Sequence, residues 1–285
     1  MIESRSDRNR ISQMTWKEVE KRQIVSPLVI VPVGSCEQHG PALTLETDSV
    51  RAEKLALMVA ERLEPLALVT PVVSVGVSEH HMGFPGTLTL NPETFINVVF
   101  ELVESLVRHG WRRIFVLTGH GGNEAALGVL STRIMREIPD LGFAWSGISP
   151  LVAEISAQHA VSTVRGHCCE NETSQTMYLS PESVRVDQIE EGASSNDKLT
   201  KIAAFARSVR GVHYPLTYDR VTSNGALGDA RIASEGLGRV LVEAAADRLV
   251  GFLKLFATSE LAPVVAAVNQ GKRINEDESM KGITQ

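Results

Sequence analysis

No run of 18 apolar residues occurs in this 285-residue chain, and no charged-then-apolar leader stands at its start. A bilayer-spanning helix needs about 20 such residues, so neither a membrane span nor secretion is expected. Cysteine is scarce. Cys36, Cys168 and Cys169 are an odd number with two adjacent, which argues against a disulfide framework and for a reducing cytoplasm. Basic residues are outnumbered, 28 Lys and Arg against 34 Asp and Glu, for a formal net charge of −6, so no footprint for nucleic acid is present. Internal repeats and Pro/Gly/Ser-rich linkers are missing as well. One domain over 1–285 is therefore expected, with the charged ends 1–14 and 270–285 as flexible or oligomer-clasping tails.

What is present is an alternation of apolar runs with helical patterns. "PLVIVPV" (27–33), "LALVTPVVSV" (66–75), "RRIFVLTG" (112–119) and "GFAWSGISP" (142–150) read as strands. Between them, 48–64, 91–110 and 123–138 carry helical periodicity, and 230–257 reads as one long closing helix. Asn91, Pro92 and Gly110 punctuate the second helix at its start and end. Continuous apolar strands joined by helices imply an α/β fold with a central, mostly parallel sheet covered on both faces.

Ligands bind beyond the carboxyl ends of the strands in such sheets, and there the polar residues crowd. "GSCEQHG" follows the first strand and "GHGGN" (119–123) the third, while "EHHMGFPGT" (79–87) and "GHCCENETS" (166–174) occupy longer connections. Five of the eight histidines (His39, His80, His81, His120, His167) fall in these four loops. Glu37 and His39, two apart in an extended segment, project to the same side. Asp48 either joins them or caps the next helix. Glu46 and Glu170 read as solvated acids, and Glu172 as inward-facing. "GHGGN" lacks both the Walker lysine and the G-x-G-x-x-G spacing, which weakens a phosphate-loop reading. Carboxylates with imidazoles form a ligand set for Zn²⁺, Mn²⁺ or Fe²⁺, and a shared carboxylate would give a two-metal hydrolytic centre.

As a set, "PVGSCEQHGPALTLETD", "GFPGT", "GHGGN", "HCCENETS" and "GALGD" (225–229) resemble the creatininase (creatinine amidohydrolase) family in order and spacing, from about residue 30 to 240. The resemblance implies a single three-layer α/β/α domain, often assembled as a hexamer, and hydrolysis of a C–N bond in a small-molecule substrate at a binuclear metal centre. Carried over by position, Glu37 and His120 would hold one divalent ion and His39 the other, with Asp48 bridging. Creatininase proper has a glutamate where Gly122 stands here, so Glu172 is expected to complete the second site. His167 would move a proton to the leaving nitrogen. His81, Gly121, Gly122, Asn123 and Cys169 are expected on the substrate side. Thr163 occupies the place of a tryptophan that stacks on creatinine, which argues against creatinine and for another cyclic amide or a formamide. Two alternatives stand beside this: a peptidase on the same metal centre, and a thiol amidase using Cys36 or Cys169.

Overall fold

The computed structural model describes residues 8–209 and 212–261. Four strands, β1 (Leu28–Val33), β2 (Ala67–Val69), β3 (Arg113–Thr118) and β4 (Gly142–Gly147), form one sheet in the order β2-β1-β3-β4, with every neighbour parallel. The helices are α1 (Trp16–Gln23), α2 (Thr47–Arg62), α3 (Pro92–Arg108), α4 (Glu124–Glu137), α5 (Ala153–Gln158), α6 (Glu170–Leu179), α7 (Lys201–Ser208) and α8 (Glu235–Thr258).

The strands are apolar throughout because each face meets helices. Leu28, Ile30, Phe115 and Leu117 turn into one core with Leu55 and Val59 of α2 and Leu241 and Leu249 of α8. Val29, Val31, Ile114 and Val116 turn the other way, onto Phe95 and Val99 of α3 and Leu127 and Leu130 of α4. Each such side chain contributes about 1.5–3 kcal/mol by leaving water. The result is the expected three-layer α/β/α arrangement.

Two prolines shape the sheet. Pro32 lies inside β1, yet its missing N–H faces the side where β2 has already ended. The last β1–β2 pair is Ile30 with Val69, and Pro32 only accepts there, from the Val73 N–H at 3.0 Å. Pro71 has no N–H to donate to a ladder, and β2 stops at Val69. The strand expected over 66–75 is therefore three residues long, with Val73 rejoining as a lone bridge to Val33. The long closing helix begins later than expected: Ala230–Ile232 is a short 3-10 turn, and Ser234 caps a restart by accepting from the Leu237 N–H at 3.2 Å.

Of the expected N-terminal tail, residues 8–14 lie against the sheet, with Asn9 buried, Arg10 bridged to Val69 and its guanidinium paired with Glu53. Residues 1–7 and the tail 270–285 lie outside the described residues. The carboxyl ends of β1 and β3 adjoin, Val33 beside Thr118, so the loops 34–46 and 119–123 open side by side at one edge.

Candidate metal centre

The loop after β1 delivers Glu37 and His39, and the first turn of α2 delivers Asp48, all without solvent exposure beyond 1%. His120 arrives from the loop after β3. Asp48 presents Oδ1 to His39 Nε2 at 3.4 Å and Oδ2 to His120 Nδ1 at 3.2 Å, while Glu37 Oε1 lies 3.1 Å from His120 Nδ1. Backbone carbonyls fix both imidazoles. His39 donates from Nδ1 to its neighbour's carbonyl at Glu37, 3.1 Å, and His120 donates from Nε2 to the Val77 carbonyl at 3.0 Å. Each ring therefore turns its other nitrogen toward the carboxylates, the arrangement that orients metal-ligating histidines. The other oxygen of Glu37 accepts from Ser78 Oγ at 2.5 Å. Among the described residues, Glu37 Oε1, His39 Nε2 and Asp48 Oδ2 are buried with no hydrogen-bond partner. Each such orphan costs about 1–3 kcal/mol; Glu37 Oε1 and Asp48 Oδ2 converge on His120 Nδ1, and His39 Nε2 lies 4.0 Å from Glu37 Oε1.

Glu172, on the first turn of α6, faces His39 Nε2 at 3.7 Å through Oε2. Its Oε2 also accepts from the Cys168 N–H at 2.6 Å, and its Oε1 pairs with Arg51. Cys168 reaches that position with φ 48°, left-handed for a non-glycine residue, the kind of strain that recurs at functional sites. Arg51 is wholly buried and also touches Asp48, Gln175 and the Gly119 carbonyl. With protein groups alone, charge balances through protons. Burial pulls His39 down, but Asp48, Glu172 and Glu37 together lift it to about 9, and burial is likewise overcome at His120 by Glu37 and Asp48. Burial and the nearby Asp48 raise Glu37, while at Asp48 burial is outweighed by the two histidines and its carboxyl falls well below the ordinary range. Donor atoms gather in overlapping triads, His39–Asp48–Glu172, Glu37–His80–His120 and Glu37–His39–His167, each within 4.8 Å. Oxygen and imidazole donors of this kind suit zinc, manganese or iron.

Gln38 organises the next pair of rings. Its side-chain oxygen accepts from the Gly40 N–H at 2.9 Å, so its nitrogen carries the two hydrogens, which go to His81 Nδ1 at 2.7 Å and the Gly225 carbonyl at 3.0 Å. His81 then holds its proton on Nε2, facing Glu37 Oε1 at 3.3 Å. It makes no hydrogen bond to that oxygen, and a protonated nitrogen is no ligand. His167 donates from Nε2 to the Gln38 carbonyl at 2.7 Å, leaving Nδ1 unprotonated 3.7 Å from Glu37 and 3.9 Å from Glu172. Burial drives His167 well below its ordinary value and His81 to about 2, so both rings are neutral. Gly225, in the late "GALGD" motif, has φ +84°, and a Cβ there would stand 1.9 Å from Gln38 Oε1. Only glycine lets Gln38 sit where it does. A cavity of about 260 Å³ opens over this cluster, lined among others by His80, His81, Gly121, Gly122, Ser149 and Tyr218.

Several sequence expectations need correction. Asn123 does not face the cavity. It is buried, bonding the Gly34 carbonyl, Thr118 Oγ1 and the Val77 N–H, and thereby ties three loops together. Cys169 also lies away from the cavity, packed against Gly228. Glu170 is not solvated but buried, accepting from Ser162 N–H and Oγ at 3.1 Å. Glu46, by contrast, is exposed as expected, with Ser183 Oγ donating to it at 3.4 Å. Asp48 is no cap, for Glu46 holds that place and neither bonds the helix end. At Gly122 a Cβ would lie 2.2 Å from His120 Nε2 and 2.5 Å from the Val77 carbonyl, so no acid can occupy that position in this backbone. Sequence reasoning missed Gln38, Arg51, Ser78 and Tyr218; only the adjacency of Gln38 to Glu37 and His39 signalled one of them.

Comparisons with known proteins point to one family. The profile of the creatininase family, described as creatinine amidohydrolase, matches residues 12–253. The "Mycofactocin precursor peptide peptidase" of Mycobacterium tuberculosis (strain ATCC 25618 / H37Rv) is 32% identical over 235 residues, 79% of this chain and 84% of that protein. The protein of the same name from Mycolicibacterium smegmatis is 35% identical over 167 residues, 57% of this chain and 62% of its own length. Among solved structures, creatinine amidohydrolase (creatininase) superposes with a TM-score of 0.76 at 23% identity, over 88% of this chain and 99% of that one. A zinc–zinc form of a creatininase variant gives 0.73 at 25% identity, over 88% and 98%.

Proposed function

The chain belongs to the creatininase family and is an amidohydrolase, and from that premise we propose that it hydrolyses the C–N bond of a small amide at a centre of two divalent ions. The observation that supports the reading is the trio of buried, unpartnered atoms Glu37 Oε1, His39 Nε2 and Asp48 Oδ2, two of them within 3.2 Å of His120 Nδ1 and the third 4.0 Å from Glu37 Oε1. Glu37, His120 and one oxygen of Asp48 would hold one ion. His39, Glu172 and the other oxygen of Asp48 would hold the second, with Arg51 offsetting part of the carboxylate charge. When bound, such ions lower the pKa of water toward neutrality and polarise a carbonyl.

The remaining chemistry belongs to the chain. His167 Nδ1 faces the cluster unprotonated and is the group able to take a proton from the attacking water and give it to the departing nitrogen. Amines leave poorly unless protonated, and a positioned acid–base group contributes about 10²–10⁴-fold. His81 stands beside Glu37 with its Nε2 3.3 Å from Oε1, a polar wall to that carboxylate. Ser78 fixes its other oxygen, so the lone pairs of Oε1 stay directed inward. The buried position of His167 removes competing water from its ring.

The cavity of about 260 Å³ suits a compact substrate, a cyclic amide or a formamide. A second reading, cleavage of a peptide bond, is favoured by the curated relatives named as peptide peptidases. We read the whole chain as one hydrolase domain. The hexamer implied by the family resemblance is checked by mass in solution. The function is tested by metal analysis and a chelator. Close to two zinc, manganese or iron ions per chain are expected, with amide hydrolysis abolished by EDTA and restored by one of these ions. Activity that survives full removal of metal would sink the reading and revive a thiol mechanism.

A further inference from the structure

Beside the metal cluster lies a second cavity of about 180 Å³, walled by Ala203 and Ala206 of α7 and by Leu216, Val221 and Leu227. It shares one wall with the first: Tyr218 lines both. The Tyr218 ring packs on His81 at 4.1 Å and on His167 at 4.9 Å between centroids. Leu227 is tied to His167 by a reciprocal pair of backbone hydrogen bonds, 3.4 and 2.8 Å. The cavity therefore sits behind the residue that serves the departing nitrogen. Its space equals about six waters at roughly 30 Å³ each, room for the side chain of leucine or phenylalanine.

One guanidinium group borders it. Arg207 lines the cavity and donates to the Arg165 carbonyl at 2.9 Å, and Arg165 immediately precedes Gly166 and His167. Among the described residues neither Arg207 nor Arg165 has a carboxylate within ion-pair distance. Arginine forks match carboxylates two bonds at a time.

We propose that this cavity is the leaving-group subsite, and that the amine released is an α-amino acid with a large apolar side chain and a free carboxylate. The side chain fills the space bounded by Ala206 and Leu227, and the carboxylate meets Arg207. The inference rests on the amidohydrolase reading and narrows its substrate to N-acyl amino acids, of which N-formyl-leucine is a compact example. Water adds to the formyl carbon, the C–N bond breaks, a proton passes to the nitrogen, and formate and leucine result. Aliphatic and aromatic amino acids compete for the same pocket, whereas glycine leaves it empty and an amide end group leaves Arg207 without a charge to bind.

The test uses the metal-loaded enzyme with N-formyl-leucine, N-formylglycine and N-formyl-leucinamide, reading affinity by calorimetry and cleavage by amine release. N-formyl-leucine is expected to bind at least about tenfold more tightly than either of the others, the worth of roughly 1.4 kcal/mol. Ala206→Trp should erase the leucine-over-glycine ratio and Arg207→Ala the acid-over-amide ratio. Ala206→Leu, a milder filling of a half-exposed helix position, should reduce the first ratio partway. Equal affinity for all three compounds in the wild-type enzyme, or ratios that survive Ala206→Trp and Arg207→Ala, overturns the subsite even if formamides are cleaved. Ratios that behave as expected with no cleavage uphold the subsite and count against the hydrolytic reading alone.

Discussion

Val33 and Glu37 stand four residues apart and neither is exposed to water, yet they belong to opposite kinds of interior. Around Val33 the sheet and its covering helices pair their backbone groups and fill the space between with hydrocarbon. Around Glu37, carboxylates, imidazoles and a guanidinium are equally buried, and four of their atoms have no partner. Burial alone does not tell the two apart; satisfaction does. The apolar layers hold the fold, and the polar knot beyond the strand ends is tolerated because those layers over-determine the backbone that carries it. A buried charge cluster left incomplete in this way is a demand for cations.

The sharpest way to break the comparison is to cut each region once. Asp48→Asn should drop bound metal well below two per chain and lower activity by about 10³-fold or more, since it removes the carboxylate offered to both ions. The metal-free variant should lose less stability than a core truncation does, because His39 and His120 can shed their extra protons once the carboxylate is gone. Phe95→Ala, in the apolar layer, should instead cost about 3–5 kcal/mol by denaturant unfolding while the surviving protein keeps its metals. Were Asp48→Asn to destabilise the metal-free chain as Phe95→Ala does, the knot would be structural and the contrast lost.

His167→Ala sharpens the contrast inside the knot. Metal content should stay near that of the parent while kcat falls about 10²–10⁴-fold and KM changes little; loss of an ion would place His167 among the ligands. Gln38→Leu tests positioning. It removes the hydrogen bond to His81 Nδ1 and frees the ring to change tautomer, for an expected loss of about 10–100-fold in kcat. The imidazole resonances of His81 should move in NMR spectra of the zinc form, a change that a packing defect elsewhere would not cause. Cys36→Ser should do least. The half-buried Cys36 Sγ points to the Gly86 carbonyl and not to the cluster, so activity should remain within about twofold, as for ordinary surface changes.

What the sequence disclosed divides along the same line. Three strands and the principal helices could be read within a few residues, because period and length are local properties. β2 was overextended because Pro71 interrupts an otherwise apolar run. Glu37, His39, Asp48, His120 and Glu172 could be named from motif order, since each lies in a conspicuous loop or helix start. Arg51 could not. In "DSVRAEK" it looks like a solvent-facing helix residue, and only the approach of α6 brings Glu172, 121 positions away, onto its guanidinium. Tyr218 was hidden in a polar connection, and its meaning depends on ring packing that no spacing encodes. Glu170 and Asn123 were misjudged for a common reason: a polar residue in a loop reads as exposed or ligand-facing, whereas here both are consumed in tying loops together.

The crowding at Gly122 bears on how enzymes of this shape can diverge. The family resemblance implies that creatininase proper draws a ligand from that position, whereas here the acid would come from Glu172 on α6. A Cβ at 122 would collide with His120 Nε2 and the Val77 carbonyl, so the two designs do not sit side by side in one backbone. A lineage passing from one to the other by single steps would displace an existing donor before gaining the new one. The glycine thus acts as a ratchet on descent. Once Glu172 carries the load and His120 leans on Val77, reversal needs several coordinated changes, and the relatives should separate into two lineages with few intermediates between them.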